Sequence, residues 1–391
     1  MRPQEASRVK EIQLSAIRVA AQLAEDLAKQ GQKVIDLSRG QPDFDTPLNI
    51  KEAAKRALDA GKVHYVNNFG IIELRQALAR KVSRENGFAV KPEEIMVTVG
   101  AVEALAVALM AFVDPGDEVL IVEPSWVNYP SIVRLCGGVP VYVSLAANDG
   151  FSLLPERVRQ KISSRTKAVM YTSPNNPTGT VLPLPVLKEL AEISKAQNLM
   201  VLADEVYEKI VYDGFQHISM AALPGMKERT ITVNAFSKTY SMTGWRLGYL
   251  AADQSLMPSL IRVHQNLVTS ANSIAQWAAL EAVTGPQQCV TEMVAEFTQR
   301  RNFLIQAFAD LSPLRLTLPE GAFYGFVDVR GLNMTSMEAV EFFIKKARVA
   351  VVAGDAFGPS GSGYIRFSFA SSMANLEEAV EKMRQALHAR G

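Results

Sequence analysis

Lys238 and Arg246 stand eight residues apart in the stretch Asn234–Gly248, which is otherwise short of charge. Small, hydroxyl-bearing and aromatic residues surround them, among them Ser237, Thr239, Tyr240, Ser241, Thr243 and Trp245. A lysine can form a Schiff base once it loses its proton, and desolvation or neighbouring positive charge helps it do so. Hydroxyls and a guanidinium can hold phosphate oxygens. A Schiff-base lysine beside a phosphate grip is the donor set of pyridoxal phosphate chemistry. The plainer reading of Lys238 is a solvated lysine, the usual fate of that residue.

Three further signals follow apolar, strand-like runs. Gly100-Ala101-Val102 opens a helix, and backbone N–H groups at a helix start can bind phosphate without a basic side chain. A tight turn explains Gly100 equally well. Ser173-Pro174-Asn175-Asn176-Pro177-Thr178-Gly179 follows Val169-Met170-Tyr171. Its composition makes a rigid turn, from which Asn175 can reach a ligand. In Asp204-Glu205-Val206-Tyr207, an aspartate at a strand end can pair with a protonated ring nitrogen and strengthen pyridoxal as an electron sink. The Tyr207 hydroxyl can reach the cofactor's phenolic oxygen. A helix cap is the other reading of Asp204, and Glu205 is a competing acid that spacing does not exclude.

The elements that must position these residues alternate. Ile12, Ala16, Ala20, Leu23 and Leu27 share a face of a helix predicted over 9–30, with Gly31 as its stop. Helices are expected over 48–60 and 71–86. From residue 94, strands at 95–99, 118–122, 139–143, 168–171, 200–203, 230–233 and 247–251 are separated in part by helices near 101–112, 125–136, 155–162, 184–196 and 256–284. Such alternation predicts an α/β fold with a mostly parallel sheet covered by helices, and a site beyond the strands' carboxyl ends. A long helix over 286–310 leads into strands at 321–329, 349–352 and 364–369 and helices near 336–347 and 374–389. This tail reads as a smaller α/β domain.

Composition narrows the function. The chain has 391 residues, 48% hydrophobic and 21% charged, enough for a substantial core. A net charge of +1 gives no field for nucleic acid or an anionic membrane. Cys136 and Cys289 are the only cysteines, and no HExxH or paired Cys-x-x-Cys occurs, so neither a disulfide framework nor a metal site is expected. The apolar run 104–113 is too short to span a bilayer, and no signal-like apolar core follows the N-terminus. A cytoplasmic enzyme is expected. A nicotinamide oxidoreductase would need a G-x-G-x-x-G after an early strand, which is missing. A non-catalytic regulator on the same scaffold is disfavoured by the intact Lys238 and the lack of a DNA-binding extension.

The chain resembles the fold-type I pyridoxal phosphate-dependent aminotransferases of class I/II, in the aspartate aminotransferase-like branch of bacteria and archaea. The likeness covers nearly the whole chain. It rests on Ser38-Arg39-Gly40-Gln41-Pro42-Asp43-Phe44, Tyr65, Asp114-Pro115-Gly116-Asp117, Asn175 through Gly179, Asp204 through Tyr207, Ser237-Lys238, Met242 through Arg246 and Gly363 through Ser368. The resemblance implies a large cofactor-binding domain over 48–285, a small C-terminal domain over 286–391, and an N-terminal segment, 1–47, joining the small domain and the subunit interface. By the same likeness, Lys238 holds pyridoxal 5'-phosphate and moves the substrate's Cα proton. Asp204 pairs with the ring nitrogen, Asn175 and Tyr207 hydrogen-bond the phenolic oxygen, and Trp126 stacks on the ring. Gly100, Ala101, Val102, Ser237 and Arg246 bind the phosphate. Arg366 grips the substrate α-carboxylate, assisted by Gly40 and Asn175, with Trp126 beside the substrate.

Tyr65 resembles the tyrosine that reaches the phosphate in the neighbouring subunit, which implies a homodimer with shared sites. The implied cycle is ping-pong, from an L-amino acid, aspartate or a broad or aromatic set, to 2-oxoglutarate. The alternative within the fold is a carbon–sulfur β-lyase, or an aminotransferase for a modified amino acid such as an acylated diaminopimelate. One departure bears on the donor: some aspartate-using relatives carry a lysine where this chain has Val102. Arg18, Arg39 and His264 are the other candidates for reading an acidic side chain, and each also reads as a structural or solvated residue.

Overall fold

Buried strands that alternate with helices along the chain set the architecture. The computed structural model describes residues 4–12, 22, 25, 26, 29 and 31–390. In chain order the strands are Ile35–Asp36 (β1), Ile95–Thr98 (β2), Glu118–Glu123 (β3), Val139–Ser144 (β4), Thr166–Thr172 (β5), Met200–Asp204 (β6), Thr230–Ala235 (β7) and Gly248–Ala251 (β8). Then come Arg315–Thr317 (β9), Tyr324–Asp328 (β10), Val349–Ala350 (β11), Val352–Ala353 (β12) and Tyr364–Ser368 (β13). Strands β2 through β8 form one sheet in the order β2-β8-β7-β6-β5-β3-β4. Only β8 runs against the rest.

Both faces of this sheet are covered. Val119 and Ile121 of β3 pack into one apolar cluster with Leu105 and Leu109 of the helix Gly100–Phe112. Leu120 and Val122 point the other way, into a cluster with Leu187 and Leu190 of the helix Leu184–Ala196. Successive side chains of a strand face opposite sides, so a strand buried on both faces carries an unbroken apolar run. This is the mostly parallel α/β fold that the alternation predicts.

A second, antiparallel sheet has the order β12-β13-β10-β9. Beside it, β1 pairs in parallel with β11, so Ile35 and Leu37 share an apolar cluster with Val349, Ile365 and Phe367. The expected single strand over 349–352 is in fact two. Residues 349–350 pair with β1 and 352–353 with β13, because the chain changes partners at Val351. The short edge strand β9 has no counterpart in the sequence reading.

The expected helix over 256–284 is also two, Met257–Leu267 and Ser273–Thr284. Asn272 caps the second through its side chain, which accepts from the Ala275 N–H at 2.9 Å. The helix predicted over 9–30 lies largely outside the described residues, as does Arg18. Among the described residues, no helix is long and apolar enough to cross a membrane.

Candidate active site

The carboxyl ends of β2, β3, β5, β6 and β7 open onto one cavity of about 480 Å³. Register brings the key positions level: Thr172 of β5 pairs with Asp204 of β6, and Ala235 at the end of β7 pairs with Gly248. Lys238 sits in the short helix Phe236–Thr239 directly after β7 and projects into the cavity. Its Nζ donates to the Gly40 carbonyl at 2.6 Å. Burial, then the nearby Arg366 and Arg246 charges, lower the Lys238 ammonium to a pKa of about 8, against the pull of Asp204.

Asp204 and Glu205 separate cleanly. Asp204 lines the cavity, and its Oδ2 accepts from the Tyr129 hydroxyl at 2.6 Å. Burial raises its carboxyl to about 6, while Tyr129, the Val206 N–H and Lys238 pull the other way. Glu205 faces away into a buried network, accepting from Ser219 at 2.7 Å and Asn86 at 3.1 Å, with His217 Nε2 at 3.0 Å. Glu208 and Lys81 pair in the same network. The ammonium of Lys81 supplies the positive charge that two buried carboxylates need.

Ala101 and Val102 line the cavity at the start of their helix. Gly100 lies just behind them at a φ of +79°, and a Cβ there would come within 2.6 Å of Arg246 Nη2. That close approach lets the Arg246 guanidinium lie against the helix start, with Ser237 also in the lining. Trp126, from the loop after β3, lines the cavity and meets Tyr129 edge to face, ring centroids 5.6 Å apart. Tyr207 lines it as well, and its hydroxyl lies 2.8 Å from that of Tyr324.

Asn175, expected at the ligand, sits within the turn that follows β5. It is buried but does not line the cavity. Its Oδ1 accepts from the Thr178 N–H at 3.1 Å and the Thr178 hydroxyl at 3.0 Å, and its Nδ2 donates to the Pro124 carbonyl at 3.2 Å. These bonds tie the side chain into the turn and leave one amide N–H without a bond in them. The adjacent Asn176 faces the cavity instead, its Oδ1 accepting from Arg366 at 3.3 Å.

Arg366 stands in the middle of β13, opposite Phe326, and is fully buried. One Nη donates to the Ser38 carbonyl, and Nε has no hydrogen-bond partner among the described residues. A buried guanidinium with an unsatisfied N–H is a site made for an anion. Gly40 and Arg39 reach the cavity from the loop after β1, with Arg39 Nε 2.7 Å from Asp36. His264 is buried away from the cavity, paired with Glu103 at 2.6 Å. Tyr65 is 91% exposed and lines a surface depression away from the cavity, as does Trp277.

The sequence pattern described as "Aminotransferase class I and II" matches residues 32–383. The aromatic-amino-acid aminotransferase 2 of Thermococcus litoralis is 42% identical, over 93% of this chain and 94% of its own. The aspartate/prephenate aminotransferase of Thermus thermophilus is 42% identical, over 97% of this chain and 98% of its own. The solved structure of aspartate aminotransferase from Thermus thermophilus with maleate superposes with a TM-score of 0.94 at 41% identity, covering 99% and 100% of the two chains. The chain belongs to the class I and II aminotransferases. It is an enzyme of that family, with its fold-type I architecture, and the family's members are pyridoxal phosphate enzymes. The carbon–sulfur lyase alternative gains no support from these relatives.

The cavity of this aminotransferase fits that cofactor. It has a desolvated lysine, a buried acid, a helix start backed by an arginine, and a second guanidinium, this one buried, with an orphaned N–H. Tyr129, Asn176 and Tyr324 are among the lining residues that escaped the sequence reading. Tyr129 lies three residues after Trp126 and is the partner of Asp204. Asn176 was masked by its twin Asn175. Tyr324 sits in the apolar run Gly321-Ala322-Phe323-Tyr324, where an aromatic reads as core.

Proposed function

We propose that this aminotransferase is a cytoplasmic homodimer that binds pyridoxal 5'-phosphate at Lys238. It moves an amino group from an L-amino acid to 2-oxoglutarate in two half-reactions. The donor is aspartate or a broader set that includes aromatic amino acids, as the names of the relatives suggest. The reading rests on the convergence of Lys238, Asp204 and Arg366 on one cavity.

When bound, the cofactor supplies an electron sink for the substrate Cα and a carrier for its nitrogen. The protein supplies the rest. Asp204, kept from water, holds the proton on the ring nitrogen. Tyr207 and Asn176 take the phenolic oxygen, with Asn176 in the role first given to Asn175. The N–H groups at Ala101 and Val102, with Ser237 and Arg246, hold the phosphate. Trp126 covers the ring.

Arg366 grips the α-carboxylate with a planar fork, beside Gly40 and Asn176. Two anchored anions fix the orientation of the Cα–H bond, and Lys238 Nζ takes that proton. Tyr65, exposed in one subunit, reaches the phosphate held by its partner. We divide the chain into an N-terminal segment, 1–47, a large domain, 48–285, and a small domain, 286–391, which closes over bound substrate.

A single-turnover absorbance scan tests the reading. Cofactor-loaded protein meets each of the twenty amino acids in turn, with no 2-oxo acid present. Conversion of the bound cofactor to its amine form, reversed by 2-oxoglutarate, is the expected result and ranks the donors. Failure of all twenty, with cofactor bound at Lys238, overturns the general amino-acid transaminase.

A further inference from the structure

Tyr324 opens β10 with its side chain fully buried in the cavity wall, and it touches three parts of the site at once. Its hydroxyl lies 2.8 Å from that of Tyr207. Its ring lies under the Arg366 guanidinium, 4.6 Å from carbon to centroid. Its oxygen also packs so closely on Gly40 that a Cβ there would come within 2.5 Å.

A phenol has one proton to give and two lone pairs to accept with. Two phenols facing each other therefore share one hydrogen bond, and its direction decides where the second proton points. Among the described residues, Tyr207 is the only hydrogen-bond partner of the Tyr324 hydroxyl. If Tyr207 donated to Tyr324, the Tyr207 proton would be withdrawn from the cavity. If Tyr324 donates, the Tyr207 proton is free to face an acceptor there, and the chain of two bonds polarises in one direction. Burial raises the Tyr207 hydroxyl well above its usual range, so that proton stays in place.

We propose that Tyr324 is a positioning residue, whose hydroxyl donates to Tyr207 and so commits the Tyr207 proton to the phenolic oxygen of the bound cofactor. The inference rests on the functional reading above. It follows that β10, which pairs with the Arg366 strand, ties the carboxylate grip to the donor at the far edge of the cofactor.

The test is the visible absorbance of cofactor-loaded protein followed against pH in four proteins: the parent, Tyr324→Phe, Tyr207→Phe and the double variant. A donor to the phenolic oxygen favours its anionic, proton-poor form. Losing Tyr207 therefore moves the titration midpoint up, and Tyr324→Phe is expected to move it up by a smaller amount, about half a pH unit. The double variant should titrate with Tyr207→Phe alone, because Tyr324 acts only through Tyr207. An unchanged midpoint in Tyr324→Phe overturns the proposal, as does an equal shift with and without Tyr207.

Affinity for maleate, read from the same absorbance, should stay within about twofold in Tyr324→Phe, since the ring against Arg366 is retained. A larger loss would mean a general disturbance of the grip and would also overturn it. Borohydride reduction separates failures. If the parent shows no cofactor fixed to Lys238, the functional reading falls, and this inference with it.

Discussion

The Nζ of Lys238 lies 2.6 Å from the carbonyl oxygen of Gly40, across the seam between the central sheet and the loop after β1. That loop also carries Ser38, whose carbonyl accepts from Arg366. Two backbone oxygens two residues apart thus hold two of the cations that line the cavity. Gly40 has no room for a side chain, because Tyr324 fills the space where a Cβ would stand. Gly40→Ala is expected to push Tyr324 and the loop aside and to lower kcat/KM by roughly 10²-fold, the scale set by small misplacements of reacting groups. Steady-state kinetics beside an unchanged circular dichroism spectrum checks it.

Cofactor loading should depend on pH through Lys238. Only the free amine attacks an aldehyde, and burial beside Arg366 lowers this ammonium from 10.5 to about 8. The loading rate of cofactor-free protein should rise between about pH 7 and 8.5 and level off above that. A rise continuing to pH 10 would mean that the lysine is not desolvated. Lys238→Ala should load no covalent cofactor and lose activity by at least ~10³-fold.

Asp204 shows function set against stability. Its folded-state pKa, about 6, lies above the ordinary 3.8 because burial disfavours the carboxylate. The sign follows directly: the folded state is favoured where the group is protonated, and that advantage is lost as pH rises through about 6. Above that, the ionised acid costs about 3 kcal/mol. Cofactor-free Asp204→Asn should therefore melt at a higher temperature than the parent at pH 8, with the gap closing toward pH 4. With pyridoxal phosphate bound the order should reverse, because only the carboxylate pairs with a protonated ring nitrogen. Thermal unfolding with and without cofactor gives both comparisons.

Arg366→Lys keeps the charge and loses the fork. A lysine offers a point charge where a planar guanidinium can make two parallel bonds to a carboxylate. We expect kcat/KM to fall by roughly 10²-fold or more, with most of the change in KM. Half-reaction rates measured against donor concentration separate the two parameters.

Much of this site was legible because residues with chemistry followed strand ends in order. Lys238, Asp204, Tyr207, Ser237 and Arg246 all line the cavity that the alternation of elements predicts. What was hidden depends on orientation. Asn175 and Asn176 are identical side chains one residue apart, and only the turn, with Thr178 bonded back to Asn175, decides which of them faces inward. Asp204 and Glu205 face opposite sides because they are neighbours at a strand end, but the sequence does not say which side is the cavity. Tyr324 was hidden by its company: an aromatic among apolar residues packs in the core far more often than it donates a directed hydrogen bond. The division of 349–352 between two sheets has no local signal either, since the two strands, 349–350 and 352–353, are both Val-Ala.

We expect the donor preference to turn on Val102. It lines the cavity at the second residue of the helix after Gly100 and remains partly open to solvent. With Val127 and Trp126 it gives that side of the cavity an apolar surface, while Arg39 brings a guanidinium already engaged by Asp36. A lysine at position 102 would add a cation without burying it, so little stability should be lost. Val102→Lys is expected to raise kcat/KM for aspartate by about 10-fold, the worth of one added charge pair at a partly screened site. It should lower kcat/KM for phenylalanine by a similar factor, because the ring would meet an ammonium in place of a methyl surface. The ratio of the two half-reaction rates is therefore expected to move by roughly 10²-fold. High salt should shrink the aspartate gain and leave the phenylalanine loss nearly unchanged. If both donors change together, Val102 does not face the substrate side chain, and the reader of that group must be sought at Arg39.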